Sequence, residues 1–182
     1  MRIAIATLWE VGVSMLVCGF ALAAPQGKVN FSGTWILDKS QSDTQQLTAL
    51  RGGPGNGQDA SLSMMIEQQG TTLKVTRTLK AEGEEKTETH IYKTDGTPTT
   101  NTGFRGESVV TEAIWDEDKL VVHSIRTMKV LIKEVKVQSK AMWSLSPDGT
   151  TLTISAIIQS PRGEQRVKGV FHKMSAARTQ EF

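Results

Sequence analysis

Apolar side chains recur at every second residue, in one run after another, from about residue 60 to residue 174. Leu62, Met64 and Ile66 alternate with Ser63, Met65 and Glu67. Leu73, Val75, Arg77 and Leu79 alternate with Lys74, Thr76, Thr78 and Lys80. Leu152, Ile154, Ala156 and Ile158 alternate with Thr153, Ser155, Ile157 and Gln159. Successive side chains of a strand point to opposite faces, so each run describes a ribbon with one dry and one wet side. No segment after residue 60 sustains a helical period.

Turn signals separate these runs at the spacing of an antiparallel meander: Gln69-Gly70, Asp95-Gly96, Glu117-Asp118 and Ser146-Pro147-Asp148-Gly149. Expected strands are 31–38, 60–69, 71–80, 86–94, 97–104, 107–116, 119–128, 131–145, 150–160 and 164–174. In a chain of 182 residues, 38% hydrophobic and 22% charged, that many short strands exclude wholesale disorder. They predict an all-β domain, a single up-and-down antiparallel barrel of about eight to ten strands, with a sandwich as the other solution. Closure removes exposed sheet edges. The connection 39–59 breaks the pattern. Asp43 and Gln46 can cap a short helix through Leu50, and Gly52 to Gly57 is too glycine-rich for helix or central strand. Connections of this length serve as lids or stay disordered.

The N-terminus reads as an address. Arg2 precedes an apolar run from Val11 to Leu22, and Ala21-Leu22-Ala23 has the small-x-small cleavage form. Residues 1–23 are therefore expected to be a signal peptide and 24–182 the barrel domain, in a periplasmic or secreted protein. Cys18, the one cysteine, falls in the removed part, so no intrachain disulfide is expected.

The stretch Phe31-Ser32-Gly33-Thr34-Trp35-Ile36-Leu37-Asp38 resembles the first strand of lipocalins and fatty-acid-binding proteins, which carry a Gly-x-Trp signature there. The hairpin from Leu62 to Gly70 and the ending Gly169-Val170-Phe171-His172-Lys173 resemble the fatty-acid-binding pattern as well. The string Phe31 to Ser42 is similar to a group of secreted bacterial lipocalin-like proteins, within the calycin superfamily. The resemblance implies a calycin barrel with a ligand cavity. It also implies that Gly33 and Trp35 are structural, Trp35 plugging one end, and that Arg166 or Lys168 stacks on the Trp35 ring.

Parity assigns the interior. With Glu117-Asp118 as a two-residue turn, Trp115 and Leu120 share a face, continued by Ala113, Thr111 and Val109 and by Val122, Ser124 and Arg126. The next hairpin sets Trp143 and Leu145 beside Leu152 and Ile154. The dry face therefore holds two cations, Arg77 and Arg126. An unpaired charge in a dry interior is costly, so each needs an acidic partner, water or an anionic ligand, or a place at the mouth where it reaches solvent or stacks on a tryptophan. The resemblance implies that they hold a ligand carboxylate.

Other chemistry is sparse. His123 and His172 fall on outer faces, His90 is read with them as a surface residue, and no two histidines have metal spacing. Glu82, Glu84, Glu85 and Glu88 read as a solvated turn. No Gly-x-Ser-x-Gly elbow or phosphate loop is present. No metal and no cofactor is expected. A balance of 21 basic and 19 acidic residues gives no footprint for nucleic acid. Lys74, Lys80, Lys136 and Lys140 on the wet faces argue against insertion in a membrane. The leading expectation is a barrel binding a small hydrophobic molecule, an anionic one included, at Arg77, Arg126, Trp115, Trp143, Met64, Val75 and Val122. The alternatives are a protein-binding module or inhibitor of the cell envelope using the Gly-rich loop, and a cavity-based isomerase or lyase. The last lacks any evident shifted titratable group.

Overall fold

Strands form where the alternation is strongest, and they join in chain order. The computed structural model describes residues 29–43, 60–81, 83–130 and 133–175. These contain ten strands: β1 (Gly33–Leu37), β2 (Ser61–Gln69), β3 (Thr72–Ala81), β4 (Glu84–Lys93), β5 (Thr99–Thr102), β6 (Ser108–Asp116), β7 (Lys119–Val130), β8 (Lys133–Leu145), β9 (Thr151–Ser160) and β10 (Gly163–Lys173). All pairings are antiparallel, in the order β4-β3-β2-β1-β10-β9-β8-β7-β6-β5, so the sheet curls back until β4 faces β5. The expected all-β, up-and-down architecture is the one observed. Expected residues 1–23, the short helix through Leu50 and the Gly52–Gly57 run lie outside the described residues.

The register confirms the parity argument. Trp115 is opposite Leu120, Trp143 opposite Ile154, and Leu145 opposite Leu152. Burial follows: Leu62, Met64 and Ile66 are buried while Met65 and Glu67 are exposed. One end is filled by Phe31, Trp35, Met64, Leu73, Tyr92 and Trp143, with Leu120, Leu152 and Phe171 among their neighbours. Phe31 stacks on Trp115 (centroids 5.6 Å apart) and meets Trp143 edge-on at 6.0 Å. Residues 29–32 cross beneath the sheet, where Gln68 accepts from the Phe31 N–H (2.9 Å) and donates to the Val29 carbonyl (3.2 Å). Aromatic rings thus make a floor.

Between β4 and β5 side chains do the joining. The Asn101 carboxamide accepts from the Ile91 N–H (2.7 Å) and donates to the Ile91 carbonyl (3.1 Å). Thr99 Oγ1 donates to the same carbonyl at 2.6 Å. Asn101 therefore behaves as one rung of a ladder, and the barrel is closed by a stitched seam.

The basic residue over Trp35 is Lys173, not Arg166 or Lys168. Lys173 is directly opposite Trp35, and its Nζ is 5.3 Å from the ring centroid. Parity explains the correction. The inward residues of β10 include Val167, Gly169 and Phe171, all buried, so Lys173 belongs to that face while Arg166 and Lys168 point outward and are exposed. The Trp35 indole N–H donates to the Phe31 carbonyl at 2.9 Å. Gly33 makes the room: a Cβ there would meet Lys173 Cε at 2.6 Å, and its φ of +140° is one that side chains disfavour. Gly33→Ala should lower stability by about 1–3 kcal/mol, read as a shifted midpoint of urea unfolding. An unchanged midpoint would show that the glycine is incidental.

Beyond β1, residues 38–43 are strapped to β10. Asp38 N donates to the Val170 carbonyl (2.8 Å), and Asp43 exchanges two hydrogen bonds with the Lys168 backbone. Hydrogen bonds from Ser40, His172 and Gln41 hold the Asp38 carboxyl well below the usual carboxylate range.

Candidate functional site: a polar cluster above an aromatic floor

Strands β3 and β4 pair with Ala81 opposite Glu84, which puts Leu73 beside Tyr92, Val75 beside His90 and Arg77 beside Glu88. All six side chains face inward, so three polar groups of β4 line up along one wall. Arg77 organises them. Its Nη1 donates to Glu88 Oε1 (3.2 Å) and to His90 Nδ1 (3.2 Å), and its Nη2 donates to Tyr92 OH at 2.7 Å. Guanidinium has only donors, so His90 Nδ1 must carry a lone pair and the ring proton sits on Nε2. The Tyr92 hydroxyl is also 3.3 Å from Nδ1. Burial works against the charge on Arg77, but Tyr92 and Glu88 outweigh it and raise its pKa. The Arg77 and Glu88 side chains are 13% and 4% exposed.

The cluster rests on the floor, because the Tyr92 ring meets Trp143 edge-on at 5.7 Å. Further up, the second cation has its own acid: Arg126 Nη1 donates to Glu107 Oε1 at 2.6 Å. Glu107 is buried in the β5–β6 connection, where it also accepts from the Arg105 N–H (2.8 Å) and lies against Gly103, whose missing side chain leaves room for its carboxylate. Of the fates open to the two arginines, an acidic partner is the one observed for both.

The remaining candidates divide. Met64, Val75, Val122 and Trp143 are fully buried within the floor and lower core, and Trp115 is half-buried beside Phe31. On the opposite wall the inward faces of β7, β8 and β9 are different. Ser124, Met128, Val135, Val137, Ser139 and Ala156 occupy inward positions yet are only half-buried. Side chains that face the inside of a barrel and stay partly exposed are not closed over by neighbours from the other walls.

Two readings from sequence are corrected. His90 is not a surface residue, and Glu88 is not part of a solvated turn; both are buried. The signal was available in the hairpin: once Arg77 is inward and Ala81 is set opposite Glu84, Glu88 is its cross-strand partner. Tyr92 follows two residues beyond His90, on the same face. His123 and His172 are exposed, as parity required.

No protein-family model and no curated protein sequence matches the chain. Solved structures do match in fold. Zebrafish ileal bile acid-binding protein complexed with cholic acid superposes with a TM-score of 0.54 at 16% identity, covering 79% of this chain and 98% of its own. A secretory abundant heat soluble protein from Ramazzottius varieornatus gives 0.55 at 12%, covering 82% and 99%. Fatty-acid-binding protein 1 of Echinococcus granulosus gives 0.51 at 13%, covering 80% and 98%. The architecture is that of the calycin barrels, and at these identities the likeness carries the fold alone.

Proposed function

We propose that the chain is an exported barrel that carries a small hydrophobic molecule. The observation that carries this reading is the half-buried inward face of β7–β9, opposite a polar cluster that stands on an aromatic floor. The apolar part of the cargo lies against Met128, Val135 and Val137, and its polar end reaches toward Arg77 or Arg126. Met64, Val75, Val122, Trp115 and Trp143 supply the base on which it rests. Two structures of the same fold are named for bile acid and fatty acid binding, which supports a cargo of this kind. Export is supported by the signal-like residues 1–23; since β1 begins at Gly33, cleavage after Ala23 leaves every strand intact. Lys74, Lys80, Lys136 and Lys140 on the outer face support a barrel surrounded by water. A protein-binding role has one observation in its favour, the outward apolar residues Val110, Ile114, Ile125 and Met142 on β6–β8.

The neutral dye Nile red tests the reading. It should bind saturably, and Val137→Trp, which fills the space beside β8, should weaken it roughly tenfold, about 1.4 kcal/mol. Absence of saturable binding, or binding indifferent to that substitution, would overturn cargo carriage.

A further inference from the structure

We propose that the polar end of the cargo is a neutral hydrogen-bond donor, a hydroxyl, received by Glu88 Oε2. The inference rests on the carrier reading above and names the head group that reading leaves open.

Glu88 divides its two oxygens unequally. Oε1 accepts from Arg77. Oε2 is buried and has no hydrogen-bond partner among the described residues, with His90 Nε2 3.6 Å away. An ionised carboxylate is acceptor-only, and leaving a buried acceptor without a donor is costly, more so for a charged one. The His90 Nε2–H, at 3.6 Å, is beyond hydrogen-bond range, so the atom stays open to a donor brought by a ligand. The side chain is 4% exposed and fixed at its other oxygen by Arg77, so the acceptor is held in place before the ligand arrives.

Charge selects among donors. Arg77 and Glu88 cancel, and Tyr92 and His90 add hydrogen-bonding groups around the pair. A carboxylate seeking Arg77 would meet Glu88 already on that guanidinium, and displacing Glu88 would leave a buried acid without its counter-charge, a strongly unfavourable loss. At Arg126 the same obstacle is Glu107, held at 2.6 Å. An ammonium would approach Oε2 beside the Arg77 charge. A hydroxyl donates to Oε2 without adding charge to either side.

The test uses three amphiphiles of one chain length at neutral pH, each competing with Nile red on the full chain: tetradecanol, tetradecanoate and methyl tetradecyl ether. A hydrogen bond to a charged acceptor contributes about 1.5–3 kcal/mol, so tetradecanol should displace the dye at about ten- to a hundredfold lower concentration than the ether, which cannot donate. It should also outcompete tetradecanoate. Glu88→Gln should bring the alcohol and ether within about twofold of each other and improve tetradecanoate, because Arg77 is no longer neutralised. Tetradecanoate binding as well as tetradecanol, ether matching alcohol, no amphiphile displacing a bound dye, or Glu88→Gln leaving the alcohol-to-ether ratio unchanged would each overturn the proposal while leaving carriage intact. Failure of the dye itself to bind is the separate failure of the carrier reading. Should Glu88→Gln not fold, the alcohol-to-ether comparison on the unaltered protein decides the matter.

Discussion

Glu88→Ala should cost the barrel about 3–5 kcal/mol, the range for removing one partner of a buried ion pair. Arg77 would keep its charge at 13% exposure with its acid gone, held only by Tyr92 and His90. Nothing else in the row is acidic: the residues beside Arg77 are Met64 on β2 and, after the substitution, alanine on β4. The loss belongs to the isolated charge and not to the pair as such, so Arg77→Met combined with Glu88→Leu should recover most of it, as apolar replacement of a buried pair commonly does. Urea unfolding of the two variants and the parent measures both effects. A loss below about 1 kcal/mol in Glu88→Ala would place Arg77 in water and remove the basis for a neutralised cluster.

Trp143→Ala is the second large effect, about 3–5 kcal/mol. The ring is 2% exposed and stands between two others, edge-on to Phe31 and to Tyr92. Truncation opens a cavity in the packed floor, and it forfeits two aromatic contacts of about 0.5–1.5 kcal/mol each. Trp115→Ala should cost clearly less, because that ring is half-buried and meets Phe31 alone among the ring pairs described. Equal losses in the two variants would mean that the floor is not centred on Trp143.

The barrel was legible because its information is local and periodic. Ten expected strands overlap the ten observed, and the faces at Trp115, Leu120, Trp143 and Leu152 follow from counting away from two turns. Gly33 and Trp35 were legible as a motif. Lys173 was not, because the choice between basic residues near the chain end depends on which parity faces inward, and the resemblance gives no parity. The β4 wall was hidden for another reason. From Glu84 to His90 both faces are polar or charged, and Ile91 and Tyr92 then fall on opposite faces, so alternation carries no contrast. Glu88 is reached only through its partner: parity places Arg77 inward, but the expected hairpin closes too far along, with β4 starting at residue 86 instead of 84. Asn101 was beyond reach. A carboxamide that replaces a peptide group is set by the distance between two strands, which no pattern in Thr99–Thr102 encodes.

That substitution has a consequence for how the molecule breathes. Everywhere else along the wall, separation of neighbouring strands must break a run of main-chain bonds together. Along Ile91 it requires three side-chain bonds, each contributing about 0.5–1.5 kcal/mol, and two of them can be released by turning one rotamer. The cylinder therefore has a line of least resistance running up one side, and opening fluctuations will be concentrated there while the aromatic base stays shut.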